Sequence, residues 1–123
     1  MDITPLVARD RQVIESYGPG GFRVSGVAHD GAILVLPQAT RPWSVASIAD
    51  ATAANLAPVV EAAIEILLLG CGKRMALVPQ TLRQELRARG IVVDAMDTGA
   101  ACRTYNVLLA EDRRVAAALL PPR

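Results

Sequence analysis

Residues 67–74 read LLLGCGKR, a run of aliphatic residues followed by a Gly-x-Gly turn and two cations. Aliphatic residues bounded by glycine predict a buried strand, here over residues 64–69, which we expect to end at Gly70. A turn of this kind can present backbone N–H groups to an anion beside Lys73 and Arg74. It can equally give the chain a tight exit from a sheet, and the two interpretations stay open at this level.

The known phosphate-binding motifs are absent from this stretch. A dinucleotide-binding fingerprint needs a third glycine three residues after the second, where this chain has Met75. A P-loop needs four residues between its glycines, and here there is one. We therefore expect no nucleotide cofactor, and no other cofactor is indicated.

The overall charge argues against nucleic acid as a partner. The 123 residues carry 13 Lys plus Arg and 12 Asp plus Glu, a formal net charge of +1. Such a chain has no long-range field to draw it onto nucleic acid or an anionic membrane. One Phe, one Trp and two Tyr are also too few to build the stacking platforms that bind single strands.

Cysteine and histidine usage argues against a metal site. The chain has one histidine and two cysteines, Cys71 and Cys102, without a Cys-x-x-Cys motif. This pattern predicts neither a metal site nor a disulfide framework. The N-terminal residues resemble neither a secretory signal nor a transit peptide. The most apolar run, residues 62–72, is interrupted by Glu65 and is shorter than the roughly 20 residues of a membrane span. We expect a cytoplasmic protein that is not integral to a membrane.

The second half of the chain alternates strand and helix patterns. Residues 81–90 read as a helix that starts with a T-x-x-Q capping box and ends at Gly90, and residues 91–93 read as a strand. Asp97-Thr98 then introduces another helix. Residues 113–120 have helical propensity, although the flanking Asp112 and prolines permit a strand. Alternation of this kind predicts βαβ units with parallel pairing.

The first half reads as an antiparallel meander behind a loose arm of residues 1–11. Turns are predicted at residues 17–22 and at His29-Asp30-Gly31. A loop between Pro37 and Pro42, a short strand at residues 43–45 and a helix capped by Asn55 are expected next. The whole predicts a single α/β domain over residues 12–123 with helices packed on the faces of a mixed sheet: an antiparallel N-terminal meander and a parallel βαβ C-terminal part.

Ligands of parallel α/β sheets bind at the carboxyl ends of strands. The Gly70 turn and the Asp97-Thr98 turn both follow predicted parallel strands, so we expect them to face each other across one sheet edge. The helix that Asp97-Thr98 introduces is expected to leave its first N–H groups open, although Asp97 or Thr98 could cap them.

Two further polar positions follow in the same helix. Cys102 lies near the helix N-terminus beside Arg103, a setting that lowers the pKa of a thiol, but no base is indicated near it, since His29 falls in a predicted turn. Asn106 either hydrogen-bonds a buried carbonyl or lines the pocket. The candidate ligand-binding residues are Gly70, Cys71, Gly72, Lys73, Asp97, Thr98, Cys102 and Asn106. No residue is assigned a catalytic role.

Three stretches carry a family resemblance: residues 17–26 (YGPGGFRVSG), residues 67–74, and residues 91–122 (IVVDAMDTGAACRTYNVLLAEDRRVAAALLPP). Over roughly residues 12–122 the chain resembles a family of small uncharacterised α/β proteins whose mitochondrial members are assembly factors of respiratory complex I (NADH:ubiquinone oxidoreductase). The resemblance implies a three-layer α/β fold with a mixed sheet, and a final strand over residues 113–120, against local propensity. The family often has threonine at the position of Cys71 and glycine at that of Asp112. No reaction and no catalytic residue come with the resemblance.

Two functions from different classes fit these patterns. The first is a non-enzymatic binding or assembly protein, with respiratory complex subunits or other assembly factors as partners and a homo-oligomer as a further option. The alternative is a protein that binds a small anionic ligand, or a weak enzyme, with its pocket at the Gly70–Gly72 and Asp97–Thr98 turns. A partner protein requires an exposed apolar patch, whereas a ligand requires a concave pocket with convergent polar groups.

Overall fold

The computed structural model describes Ile3 and residues 11–122. Within these residues there are eight strands, three α-helices and one short 3-10 helix at Ile48–Asp50. The strands are β1 (Ile14–Gly18), β2 (Gly21–Val24), β3 (Val27–Asp30), β4 (Ile33–Val35), β5 (Thr40–Pro42), β6 (Ile66–Cys71), β7 (Val92–Met96) and β8 (Val115–Leu120). The α-helices are α1 (Ala57–Glu61), α2 (Gln80–Arg87) and α3 (Thr98–Ala110). The predicted arm of residues 1–11 lies almost wholly outside the described residues, and the domain boundary at residue 12 stays a prediction.

The strands form two sheets. A mixed five-stranded sheet has the order β5-β4-β8-β6-β7, and β1, β2 and β3 form an antiparallel three-stranded sheet of their own. In the larger sheet β6 runs parallel to both β7 and β8, while β4 runs antiparallel to β8 and β5. The predicted α/β fold with a mixed sheet, an antiparallel front and a parallel βαβ part is confirmed.

The five-stranded sheet is covered on both faces. On one face Leu67 and Leu69 of β6 belong to the same apolar cluster as Leu82 and Leu86 of α2 and Leu56 at the start of α1. On the other face, Leu68, Ala117 and Leu119 share a cluster with Ala101 and Tyr105 of α3 and with Ile14 and Phe22 of the small sheet. The alternation along β6 follows from the two-residue period of a strand, which points successive side chains to opposite faces.

The last apolar run is a strand, as the family resemblance implied and local propensity did not. All six residues of β8 are buried, because the strand lies between β4 and β6 and is covered on both faces. Small alanines at positions 116–118 leave room for the layers above and below to approach closely. Asp112, where the family usually has glycine, adopts the left-handed conformation with φ 61°. Aspartate is one of the few residues other than glycine that tolerates this region, so the turn survives the substitution.

The second turn of the meander is placed differently from the prediction. His29 and Asp30 belong to β3, and the turn falls at Ser25-Gly26, where Val24 pairs with Val27. Ser25 and Gly26 both have positive φ, 45° and 83°, as a two-residue hairpin turn requires. After β3 the chain passes through Gly31, with φ 73°, into β4, which belongs to the other sheet and is not a hairpin partner of β3.

The segment between β4 and α1 also differs from the prediction. The expected loop between Pro37 and Pro42 contains the edge strand β5, whose position at the sheet edge accommodates Pro42. No strand forms at residues 43–45, although Trp43 and Val45 are buried. Asn55 does not cap α1, which starts after Leu56. Its side-chain oxygen instead accepts hydrogen bonds from the Thr52 amide and the Trp43 indole.

Several element ends are shifted from their predicted positions. β6 does not end at Gly70 but continues to Cys71, because Gly70 is paired with Met96 on one side and Leu119 on the other. α2 begins at Gln80 without a side-chain cap, so the predicted capping box at Thr81 is not formed. Gly90, with φ 79°, follows α2 as predicted.

Candidate functional site

The turn after β6 and the start of α3 are joined by two hydrogen bonds between the same two residues. The Gly72 amide donates to the Thr98 hydroxyl at 2.8 Å, and the Thr98 amide donates to the Gly72 carbonyl at 2.8 Å. The two turns predicted to face each other therefore do so at hydrogen-bonding distance. This follows from the parallel pairing of β6 with β7, which brings their carboxyl ends to one edge.

Thr98 also reaches the end of β8. Its hydroxyl donates to the Leu120 carbonyl at 2.5 Å while accepting from the Gly72 amide. Thr98 is fully buried and uses its donor and an acceptor position at once. One side chain thus fixes the ends of two strands to the first turn of a helix.

Gly70 is required where α3 approaches β6. A Cβ at this position would lie 2.8 Å from Leu119 Cδ2, 3.1 Å from the Thr98 hydroxyl oxygen and 3.2 Å from Thr98 Cα. The glycine of the Gly-x-Gly turn that lies in the strand therefore serves close packing. Gly72 is the one with a positive φ, 92°, and it turns the chain out of the sheet.

The Thr98 and Ala100 N–H groups in the first turn of α3 are occupied, so the capping alternative considered for this helix start is the one that the structure shows. The Asp97 carboxylate accepts from the Ala100 amide at 2.9 Å, and the Gly72 carbonyl accepts from the Thr98 amide. Asp97 is thus the N-cap, one of the roles considered for it. Its negative charge also occupies the position where the helix dipole would favour an anion.

A cavity of about 430 Å³ lies beside this edge. It is lined by Ala32, Val45, Ala46, Cys71, Gly72, Lys73, Leu120 and Pro121. The lining is mixed: apolar side chains alternate with polar groups, and the half-buried thiol of Cys71 and the exposed Lys73 are the polar side chains among its lining residues. Three of the candidate residues, Cys71, Gly72 and Lys73, therefore share one concave surface, and their role in ligand binding stays a prediction.

The other candidate residues lie behind or away from the cavity. Gly70 lies in β6 against Thr98, and the Thr98 hydroxyl accepts from the Gly72 amide. Asp97 caps α3. Cys102 and Asn106 are buried in the core between α3 and the small sheet and do not line this cavity.

Cys102 does not have the lowered pKa predicted for it. Burial raises the pKa of its thiol to about 12, and this outweighs the opposing influence of the Arg103 charge. The position near the helix N-terminus was correctly identified, but the thiol points into the core and is fully buried. A buried neutral thiol is a packing group and not a nucleophile at neutral pH.

Asn106 bonds backbone groups in the core. Its amide nitrogen donates to the Ile14 carbonyl at 2.8 Å and the Ile3 carbonyl at 3.2 Å, and its oxygen accepts from the Ile14 amide at 3.1 Å. Tyr105 adds a bond from its hydroxyl to the Gln12 carbonyl at 2.8 Å. Burial raises the pKa of Tyr105, which keeps that donor protonated. These two residues fasten α3 to the start of the small sheet.

The described residues offer neither a metal-ion site nor a membrane-spanning helix. Across Ile3 and residues 11–122, no group of three or more His, Cys, Asp or Glu side chains is placed to hold a metal ion. In that part of the chain, no helix has the length and apolar character needed to cross a membrane. His29 lies in β3, in the small sheet.

One surface was not identified from the sequence. The β6–α2 loop (residues 72–79) carries Leu77, which is 88% exposed, and Met75, which is 63% exposed. Lys73 and Arg74 precede them and are also exposed. The apolar residues are visible in the sequence of residues 73–79 (KRMALVP), but hydrophobicity alone does not tell whether such residues face the core or solvent.

The chain is similar to proteins from bacteria and animals. It is 42% identical over 108 residues to an uncharacterized protein of Rhodobacter capsulatus, covering 88% of this chain and 83% of that protein. It is 42% identical over 112 residues to NADH dehydrogenase [ubiquinone] 1 alpha subcomplex assembly factor 3 of Danio rerio, and 37% identical over 117 residues to the protein of that name in Homo sapiens. These matches cover 89% and 94% of this chain but only 64% of each assembly factor.

Solved structures share the fold. A Bartonella henselae protein described as an outer membrane protein superposes with a TM-score of 0.84 at 40% identity, covering 92% of this chain and 97% of that one. A Bordetella pertussis protein described as an Mth938-like domain superposes with a TM-score of 0.81 at 33% identity, covering 99% and 93%.

The family of this chain is identified by a match over almost all of the described residues. Residues 14–120 match the family model described as protein of unknown function (DUF498/DUF598), from the first residue of β1 to the last of β8. The expected kinship with complex I assembly factors is also confirmed by the named relatives. The chain belongs to the DUF498/DUF598 family.

Proposed function

We propose that this chain is a non-enzymatic binding protein that assists the assembly of respiratory complex I subunits, and that it acts in the cytoplasm. The observation that carries the proposal is the 42% identity, over 89% of the chain, to a protein named as a complex I assembly factor. Both cysteines are free, in keeping with a reducing compartment.

The roles of the polar side chains support a binding function. Thr98 joins three chain segments, Asp97 caps a helix and Asn106 bonds the backbone of β1. These residues maintain the fold, and the thiol of Cys102 is buried and neutral. Met75 and Leu77 of the β6–α2 loop, in contrast, expose apolar side chains to solvent, and neighbouring exposed apolar residues are typical of a surface that meets another protein.

The proposal is tested by deleting the gene in the organism that carries it. Membranes are then resolved on native gels, and NADH-oxidising activity is stained in the gel. We expect less mature NADH dehydrogenase and an accumulation of partial assemblies, both restored by the wild-type gene. A deletion strain with a normal amount of mature enzyme and no partial assemblies contradicts the proposal.

A second candidate function is the binding of a small anion, favoured by the 430 Å³ cavity with Lys73 on its rim. The matched test is calorimetric titration with inorganic phosphate and with succinate, on wild type and on Lys73→Gln. Saturable binding that is lost in the variant supports this function. Equal heats for the two proteins, or none, contradict it.

A further inference from the structure

We propose that the β6–α2 loop is the docking site for the partner protein, and that the partner contributes an acidic segment with an apolar anchor. This inference rests on the proposed assembly function and names the surface and the partner chemistry for it. The reasons are the exposure of two neighbouring apolar side chains, the positive charge of the loop that carries them and the anchoring of the loop's two ends.

The apolar exposure is concentrated in this loop. Met75 and Leu77 are 63% and 88% exposed and lie two positions apart. Among the described residues, the other large exposed apolar side chains are Val27, Val92 and Val107, each 56% to 59% exposed and each on a different element. Val107 also lines a separate cavity of about 480 Å³ beside α3, with Ile3 and Ala110. Scattered single residues are ordinary on a protein surface, whereas neighbouring ones mark an interaction site.

The charges carried by the loop itself are of one sign. No aspartate or glutamate occurs between Glu65 and Glu85, a stretch that contains Lys73 and Arg74. Within the described part of the chain, neither cation forms an ion pair. Carboxylates on a partner would complement this surface, and such complementarity directs both encounter and specificity.

The ends of the loop are held in place although the loop itself has no regular structure. At one end Gly72 is bonded twice to Thr98. At the other end Val78 packs against the apolar cluster and the Pro79 carbonyl accepts from the Arg83 amide at 3.2 Å. A loop anchored on both sides loses less conformational entropy on binding than a free segment does.

A protein fits this surface better than a membrane does. Anionic lipid surfaces are recognised by clusters of about 4 to 8 basic residues, and the loop supplies two. The loop is also too short and irregular to form the amphipathic helix that lies on a bilayer. Lipid and a second copy of this chain are therefore outcomes that the experiment distinguishes.

The direct test is site-specific photo-crosslinking in the native cell with the full chain. Benzoyl-phenylalanine replaces Leu77, and the matched control places it at Val107, which is exposed on the outer face of α3. Crosslinked peptides are sequenced by mass spectrometry. We expect position 77 to link to a respiratory subunit or assembly factor, at a segment with acidic residues beside apolar ones, and position 107 not to do so.

The charge requirement is tested by reversal. The double variant Lys73→Glu/Arg74→Glu is expected to lower recovery of the crosslinked partner about tenfold, since like charges then face each other. The control Arg87→Glu/Arg89→Glu changes two exposed cations near the end of α2 and is expected to leave recovery unchanged. Thermal unfolding of each variant checks that the fold is retained.

The outcomes separate this inference from the proposed function. If the gene deletion impairs NADH dehydrogenase assembly but position 77 gives no partner crosslink, the loop is not the docking site and the function stands. Crosslinks to lipid, to a second copy or to a basic segment also overturn the inference, as does equal recovery in the two charge variants. Normal NADH dehydrogenase assembly in the deletion strain contradicts the proposed function, and it also contradicts the inference that rests on it.

Discussion

Thr98 and Gly72 hydrogen-bond each other in both directions, amide to hydroxyl and amide to carbonyl, each at 2.8 Å. Because Gly72 is also the first residue after β6, this pair fixes the point from which the β6–α2 loop leaves the sheet. The same residue of α3 holds the end of β8 through the Leu120 carbonyl. The stability of the fold and the presentation of the exposed loop therefore depend on one buried threonine.

Replacing Thr98 with valine tests this dependence. Valine has nearly the same shape but no hydroxyl, so the buried Gly72 amide loses its acceptor and the Leu120 carbonyl loses a donor. Each such loss costs about 1–3 kcal/mol, and we expect the free energy of unfolding to fall by about 2–4 kcal/mol. Urea unfolding, followed by the fluorescence of Trp43, measures this change in the free energy of unfolding. Thr98→Ser keeps the hydroxyl and is the control; equal losses in the two variants would show that the hydrogen bonds contribute little.

Replacing Gly70 with alanine tests the close approach of α3 to β6. The new Cβ would lie 2.8 Å from Leu119 Cδ2 and about as tightly against Thr98 at 3.1 Å, so side chains must shift in a packed region. Overpacking of this kind costs about 1–3 kcal/mol. Gly18→Ala is the control, because nothing lies within 4 Å of its Cβ position. Unchanged stability of Gly70→Ala would show that the layers are loosely packed here.

Thiol titration tests the burial of Cys102. Only a thiolate attacks Ellman's reagent, and the raised pKa of about 12 keeps Cys102 protonated at pH 8. We expect one reactive thiol in the native protein, that of half-buried Cys71, and two in urea. Two thiols of equal rate in the native state would contradict the burial.

The same pKa shift sets the direction of a pH dependence. The unfolded thiol, with its ordinary pKa of 9.0, releases its proton before the folded one does. The contribution of the buried Cys102 thiol to the free energy of unfolding is therefore fully present below about pH 9 and declines as pH rises toward 12. Cys102→Ala should make the wild-type decline between these pH values less steep, and an unchanged slope would contradict the assignment.

Placing a charge in β8 tests its position at the centre of the sheet. Ala117 is fully buried between Val35 of β4 and Leu68 of β6, so Ala117→Arg would bury an unpaired charge. We expect a loss of several kcal/mol, on the order of 3–5, which leaves the chain unfolded at room temperature. Circular dichroism measures the outcome. Ala110→Arg, on the exposed end of α3, is the control and should fold normally.

Sequence patterns predicted the elements whose surroundings are simple. The strand β6 follows from a continuous aliphatic run bounded by glycine, and the helix α3 follows from the Asp97-Thr98 start signal. β8 did not follow from propensity, because alanine and leucine favour a helix and only its place between two other strands makes it extended. The end of β6 was misplaced for the same reason: Gly70 ends an isolated pattern, but in the fold it has a partner on both sides.

The candidate site was predicted in part. Parallel pairing was enough to bring the Gly72 and Thr98 turns together, because it fixes which strand ends share an edge. It was not enough to place Cys102 and Asn106, whose direction depends on how α3 is rotated about its axis against the sheet. That rotation is set by contacts with β1, far away in sequence, such as the bonds between Asn106 and Ile14.

The most direct test of the central claim is affinity capture of the full chain, expressed at its native level, followed by quantitative mass spectrometry. The control is a strain in which Ala117→Arg replaces the wild-type chain, so that capture depends on the folded protein. We expect subunits of NADH dehydrogenase or its assembly factors to be enriched with the wild-type chain and lost with the variant. If no respiratory subunit is enriched, or if the unfolded variant captures the same proteins, the account of this chain as an assembly protein is wrong.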